Sequence, residues 1–234
     1  MITTRLLAVG GLTVVPIAAS VRAPDVRALA IAAGWSGAGQ IELRIGAGVD
    51  VAGLVIPATI PDYCLTLIIR GRVGGMINGG KGLQTASRIY VDNLGGTTQG
   101  SGGGGGLGGT TRIDGSEGYS ALGSPGGPGN GAGFSSSGTV TLLAATNGTA
   151  GTTAQIGGPT IGGGNGTSTG GTGGNGGAIG VAGQGGGPAS ITQYYTNSIV
   201  ITNGGNGGAA GAAVDGDSKV TWLSLGTITG SRIN

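Results

Sequence analysis

The chain has 234 residues, of which 60 are glycine, while charged residues make up 9% and aromatic residues 3%. Eleven Lys and Arg stand against nine Asp and Glu, a formal charge of +2 with no His, which leaves neither the basic stripe that a phosphate backbone requires nor the high charge of a disordered chain. Large side chains are too few to build an ordinary close-packed core throughout, so something besides side-chain burial must hold most of the chain.

Taken in chain order, residues 1–23 (MITTRLLAVGGLTVVPIAASVRA) carry Arg5, an apolar stretch and small residues, the outline of a secretory signal. Gly10, Gly11 and Pro16 interrupt that stretch well short of a membrane span, so membrane insertion is not expected. Two short strands, Ile2 to Val9 and Leu12 to Ala19, around a Gly-Gly turn account for the pattern better. APDVRALAIAAGW then reads as a short helix, with Pro24 and Asp25 in the first turn and Gly34 as the stop. QIELRI alternates Ile41, Leu43 and Ile45 with Glu42 and Arg44, the period of a half-buried strand, and CLTLIIR gives a more apolar one. Cys64 stands alone, which rules out an internal disulfide, and its apolar neighbours make it a small core residue. Residues 1–70 are thus expected to form a small α+β or mostly β cap, with Trp35 and Tyr63 as its core aromatics. The first 88 residues hold eight of the eleven basic residues, which sets this part apart from the rest.

Beyond residue 70 the pattern changes. In GGTGGNGGAIGVAGQGGG (170–187), Gly171, Gly174, Gly177, Gly180, Gly183 and Gly186 keep one three-residue phase, and Gly170, Gly173, Gly176 and Gly185 share a second. Three residues per turn is the repeat of the polyproline II helix, and the Pro content is too low and the runs too broken for collagen. Such a helix has no internal hydrogen bonds, so its N–H and C=O groups must pair with neighbours that only glycine lets approach. GSGGGGGLGG keeps Gly100, Gly103, Gly106 and Gly109 in phase, and GSPGGPGNG and NGGNGGAAG behave similarly. The expected fold is therefore mostly β and irregular: the cap, followed over 71–234 by a bundle of polyglycine type II helices interleaved with short strands such as RIYV, TVTLL, SIVIT and KVTWL.

Those phased runs resemble the glycine-rich receptor-binding adhesins and tail-tip proteins of tailed bacteriophages. The ending VDGDSKVTWLSLGTITGSRIN is similar to the strand that closes phage glycine-rich tail proteins. The resemblance implies a polyglycine II sandwich with variable distal loops, and a virion protein that recognises a bacterial surface receptor, protein or glycan. It also implies that the N-terminal cap joins other phage tail or baseplate proteins. A purely structural glycine-rich tail component remains an alternative. So do a bacterial surface protein and an ice-binding polyglycine II protein.

Without His, the usual nucleophilic triads and His-metal sites cannot be assembled in one chain. Asp114 with Glu117, and Asp215 with Asp217, lie among turn residues and read as solvated carboxylates rather than a glycosidase pair. GMINGGKG (75–82) misses a P-loop because Gly82 stands where Ser or Thr must hold magnesium. No catalytic residue, metal or cofactor is therefore expected, and no nucleic-acid partner. Function should sit where the glycine phase breaks and larger side chains appear. TRIDGSEGYSALGSP (111–125) contributes Tyr119, FSSSG contributes Phe134, and PASITQYYTNS (188–198) contributes Gln193, Tyr194, Tyr195 and Asn197. Aromatic and Ser/Asn-rich loops have the composition of recognition surfaces, and these six residues are the expected receptor contacts.

Overall fold

Strands whose apolar residues recur about every 25 positions can satisfy their backbones by stacking on one another, and the first part of the chain does this. The computed structural model describes residues 11–114, 120–156, 166–193 and 198–234. A first coil contains β1 (Leu12–Ile17), β2 (Val21–Arg22) and α1 (Val26–Ala32). The second contains β3 (Gln40–Ile45), β4 (Asp50–Ala52) and β5 (Leu54–Ile56). The third contains β6 (Leu65–Ile69), β7 (Arg72–Gly74) and β8 (Leu83–Thr85), and the fourth opens with β9 (Ile89–Asp92) and β10 (Thr97–Gln99).

The chain then leaves the stack for a long glycine-rich excursion. This holds β11 (Thr111–Asp114), β12 (Ser120–Gly123), β13 (Gly133–Phe134), β14 (Leu142–Leu143), β15 (Thr153–Ile156), β16 (Gly166–Thr169), β17 (Ser190–Gln193) and β18 (Ser198–Ile201). It returns to finish the fourth coil with β19 (Val214–Asp215), and a fifth follows with β20 (Val220–Ser224), β21 (Thr227–Thr229) and β22 (Arg232–Ile233).

Strands of successive coils pair in parallel on three faces, in the orders β1-β3-β6-β9-β20, β2-β4-β7-β10-β21 and β5-β8-β19-β22. This is a three-sided parallel β-helix interrupted by an insertion. Register puts Val15, Leu43, Leu67 and Val91 in one column, each fully or almost fully buried, with Trp222 next in line. Ile17, Ile45 and Ile69 form a second column. Each column buries aliphatic side chains one above another, at about 2 kcal/mol or more for a Leu or Ile taken fully out of water. Corners need backbones close together: a Cβ on Gly71 would lie 2.1 Å from the Val49 carbonyl oxygen, well inside contact distance.

The local elements follow from their residues. Asp25 is the N-cap of α1 and accepts from the Ala28 N–H at 2.9 Å, and Gly34 takes a φ of +99° just past the C-terminus. Asp25 and Pro24 therefore precede the helix rather than occupy its first turn. The strand expected from Leu12 ends at Ile17, and the one expected at Ile2–Val9 lies outside the described residues. Trp35 is a core aromatic, buried against the stack. Tyr63 is not: it is 43% exposed, with Tyr90 at 5.7 Å and the Arg88 guanidinium over its ring. Cys64 is half-buried against the core.

The expected fold class, a small cap followed by a bundle of polyglycine type II helices, is corrected. The molecule is mostly β-sheet, with three parallel sheets that take strands from both ends of the chain and one α-helix among the described residues. Among the described residues no clear polyglycine helix bundle emerges. The strands from Arg72 to Gln99 and from Val214 to Ile233 are two to five residues long, too short to show a period singly, and their partners lie a full coil away.

In the insertion, glycine runs are laid side by side and joined by main-chain hydrogen bonds. The N–H groups of Gly103, Gly106 and Gly109 donate to Val181, Gln184 and Gly187, and those of Gly102, Gly105 and Gly108 donate to Ala132, Gly129 and Gly126. Gly171, Gly174 and Gly177 in turn donate to Gly109, Gly106 and Gly103. Glycine is required because the neighbours are backbone: a Cβ on Gly105 would overlap the carbonyl oxygen of Gly174. Side-chain burial in the insertion is slight, with Ile113 and Ala121 forming its own small cluster.

Entry and exit of the insertion are tied to each other and to the stack. Gly211 donates to Ser101, Gly100 to Thr229, and Leu83 to Ala213. Arg22 reaches from the first coil to the Ser135 carbonyl at 3.0 Å and to the Gly138 carbonyl at 3.3 Å.

Candidate functional site

The runs of the insertion fold back and forth, so its connections fall at two ends. One end lies on the β-helix: Gly180 packs on Gly230 of the fifth coil, and Phe134 bridges to Met76. At the other end are the three pairs β11 and β12, β15 and β16, and β17 and β18, which flank residues 115–119, 157–165 and 194–197. The strands form two small sheets, β12-β11-β18 and β15-β16-β17, all antiparallel.

The sheets face one another across Ile113 and Ala121, with Ala154 and Ile191 packed against them. Two buried hydroxyls, those of Thr111 and Ser168, hydrogen-bond between the sheets, and the Gly123 N–H donates to Ser168 Oγ at 3.1 Å. Such a pairing satisfies polar groups that the small apolar core could not bury alone.

On the outer face of the first sheet, register aligns Leu122, Arg112 and Val200, all exposed, and beside them Ser120, Asp114 and Ser198. Arg112 Nε donates to Asp114 Oδ1 at 2.8 Å and Ser198 Oγ donates to Asp114 Oδ2 at 3.1 Å. The Arg112 hydrogen bond, with a smaller contribution from Ser198, holds the Asp114 carboxyl below its ordinary range, so it stays ionised on this face.

The segments 111–125 and 188–198, singled out from the sequence, are brought together, since β11 pairs with both β12 and β18. Of the six expected contacts, Tyr119, Tyr194, Tyr195 and Asn197 lie outside the described residues. Gln193 ends β17, its backbone in register with Gly166. Phe134 sits at the opposite end and is fully buried, its ring beneath the Arg72 guanidinium at 5.8 Å and against Gly74, where a Cβ would come within 2.7 Å of the ring. It is a packing residue between insertion and β-helix and offers no surface to a receptor. The sequence reading missed the strands β15 and β16, which pair in the second small sheet beside β11 and β12. Their signal was the pair TAQI and GTST, polar and β-branched, around a broken glycine phase.

The carboxylates near the C-terminus are committed to ion pairs. Asp215 accepts from Lys81 Nζ at 2.6 Å, and Asp217 accepts from Arg232 at 2.8 Å and from Trp222 Nε1 at 3.2 Å. Among the described residues no group of three His, Cys, Asp or Glu side chains is gathered as metal ligands would be.

A hydrogen-bonded stem carries at its far end two hairpins, β11-β12 and β15-β16, and a crossover from β17 to β18 that links their sheets, an arrangement suited to display. The chain belongs to the family of the phage tail fibre adhesin Gp38, whose pattern it matches over residues 12–233. It is accordingly a tail component of the virion and serves recognition of the host-cell surface. A chain from the crystal structure of the gp37-gp38 adhesin tip complex of the bacteriophage S16 long tail fiber is 21% identical, with 83% of this chain and 72% of that chain covered and a TM-score of 0.41. No curated protein matches at a significant level. No helix among the described residues is long and apolar enough to cross a membrane.

Proposed function

We propose that the receptor is held at the far end of the insertion, by the three connections at 115–119, 157–165 and 194–197, with Tyr119, Gln193, Tyr194, Tyr195 and Asn197 as contacts. The observation that carries this reading is the convergence of two hairpins and the β17–β18 crossover on one small sandwich, as far from the β-helix as the glycine runs reach. Stiff aromatic side chains with polar tips give a large contact area at low entropic cost. The N-terminal part, residues 1–70, attaches the adhesin to other phage tail proteins. Exposed Leu12, Val14, Leu29 and Ile31 on its first coil support this assignment. Recognition proceeds without chemistry: the described carboxylates outside the tip are spent on ion pairs or, at Asp25, on capping α1, and the chain has no His.

The test is binding of labelled protein to candidate bacterial cells, comparing wild type with Tyr194→Ala/Tyr195→Ala after circular dichroism shows both folded. Saturable binding that the double variant loses by about tenfold or more supports the reading. Equal binding by both removes the tyrosines from the site.

A further inference from the structure

Edge strands of sheets normally carry a device against pairing with foreign strands. Here β1 has Pro16 inside it, β20 breaks register between Trp222 and Ser224, and the two-residue β2 and β22 carry Arg22 and Arg232. Strand β18 has none of these. It is the edge of the sheet β12-β11-β18, four residues long, and reads Ser-Ile-Val-Ile without Pro, Gly or charge. Ile199, Val200 and Ile201 are 45%, 53% and 51% exposed. Three consecutive exposed β-branched aliphatics on an open edge are what folded proteins avoid unless the edge is used.

Its hydrogen-bonding phase can be read from the next residue. The Thr202 N–H donates to the Thr110 carbonyl, so Thr110 and Thr202 are a hydrogen-bonded pair of the antiparallel ladder. Such pairs alternate, which assigns Arg112 with Val200 and Asp114 with Ser198 to the same class. Ile199 and Ile201 therefore turn their N–H and C=O groups away from β11, and among the described residues no main-chain partner meets them there. Ile199 shares a row with buried Ile113 and Ala121, yet remains nearly half exposed, because the sandwich is open beside it.

We propose that β18 is the docking edge for an extended strand of a host-surface protein, which adds to the sheet as a fourth member. A row of donors and acceptors at strand spacing selects a polypeptide main chain, and the β-branched side chains beside it fit the pleated face of such a strand. A glycan offers neither the alternating main-chain groups nor the apolar face. Arg112 and Asp114, paired on the outer face of β11, present both charge signs on the far side of β18 from the incoming chain, within reach of its long side chains. The inference rests on the proposed receptor-binding role of the tip and narrows the receptor to a protein.

The experiment measures binding of the full chain to intact bacterial cells from a candidate panel and to the same cells after proteolytic shaving, which leaves surface glycans in place. Three proteins are compared: wild type, Ile199→Pro and Val200→Lys. Proline at 199 removes an outward N–H and leaves the Val200 and Ser198 bonds to β11. Lysine at 200 keeps every main-chain group and adds an edge charge, so it stands in if the proline variant does not fold. The expected result is loss of binding to shaved cells, and binding to intact cells weakened about tenfold or more by either variant at unchanged melting temperature.

Undiminished binding to shaved cells, or variants that bind intact cells like wild type, would overturn the strand-docking inference. If the tyrosine variant still loses binding in that case, the receptor reading stands without it. Wild type that binds no cells would sink both. Self-association of wild type that the two variants abolish, with cell binding unaffected, would assign the edge to a second copy instead.

Discussion

The β-helix and its insertion solve one problem in opposite ways. In the β-helix, columns such as Val15, Leu43, Leu67 and Val91 supply a side-chain core, and the parallel ladders keep the backbones at ordinary strand spacing. In the insertion the side chains are mostly absent, and neighbouring main chains approach until a single methyl group would overlap a carbonyl. The first region is weakened by loss of volume, and the second by gain of volume wherever a glycine faces neighbouring backbone. An adhesin gains from the second arrangement at its tip, because a stem held by backbone bonds places few demands on the sequence of the loops it carries.

The largest effect should come from adding volume to the insertion. Gly105→Ala drives a Cβ into the Gly174 carbonyl, and a destabilisation above about 4 kcal/mol is expected from urea unfolding, because backbone on both sides must move. Gly185→Ala is the control in the same region. Its Cβ would meet the Gly205 carbonyl oxygen at 3.4 Å, an ordinary contact, and stability should stay within about 0.5 kcal/mol of wild type. Equal effects at the two sites would break the comparison.

Removing volume from the β-helix comes next. Leu67→Ala leaves a cavity between Leu43 and Val91 in a fully buried column, at a cost of about 3 kcal/mol in the same assay. A loss below about 1 kcal/mol would mean that the column collapses to fill the gap.

The smallest effect concerns charge at a corner of the β-helix. Asp92 accepts from Arg70 Nη2 at 2.6 Å, from the Ser224 hydroxyl and from the Leu94 N–H, and the Arg70 bond foremost holds its carboxyl down to about 2. A carboxyl depressed in the folded state stabilises at pH values above its unfolded value near 4, and that stabilisation disappears as pH falls from about 4 to about 2. Water around the pair reduces its worth, so Asp92→Asn should cost about 1 kcal/mol at pH 7. The gap to wild type should narrow as pH falls through about 4 and close below about 2. A gap that persists there would assign the effect to geometry rather than charge.

The longer apolar strands were legible in the sequence. QIELRI and LTLII show their period over five or six residues, and α1 has its cap and glycine stop. The β-helix as a whole was not legible, because its order lies in contacts one coil apart and in strands as short as Val214–Asp215. Glycine phase correctly marked segments that need close neighbours, since hydrogen bonds recur every third residue along Gly103, Gly106 and Gly109. It could not say which sheets the flanking strands would join. At the tip, 111–125 and 188–198 were found from aromatic and polar composition. Phe134 shared that composition and went instead to a buried bridge, a distinction set by the depth of the Gly74 contact and invisible in one dimension.

The detour between β10 and β19 also orders events during folding. Strand β22 pairs only with β19 on its face of the stack, and β19 arrives only after the chain has run from Gly100 through Ala213 and come back. Closing so long a loop is entropically modest, at about 0.6 kcal/mol per doubling of length, but contacts of such sequence separation form slowly. The third side of the last coil is therefore completed only when the chain has returned from the insertion, and those far-separated contacts are expected to form late. A chain that stalls inside the insertion leaves β8 without β19, an open sheet edge of the kind that invites aggregation or proteolysis.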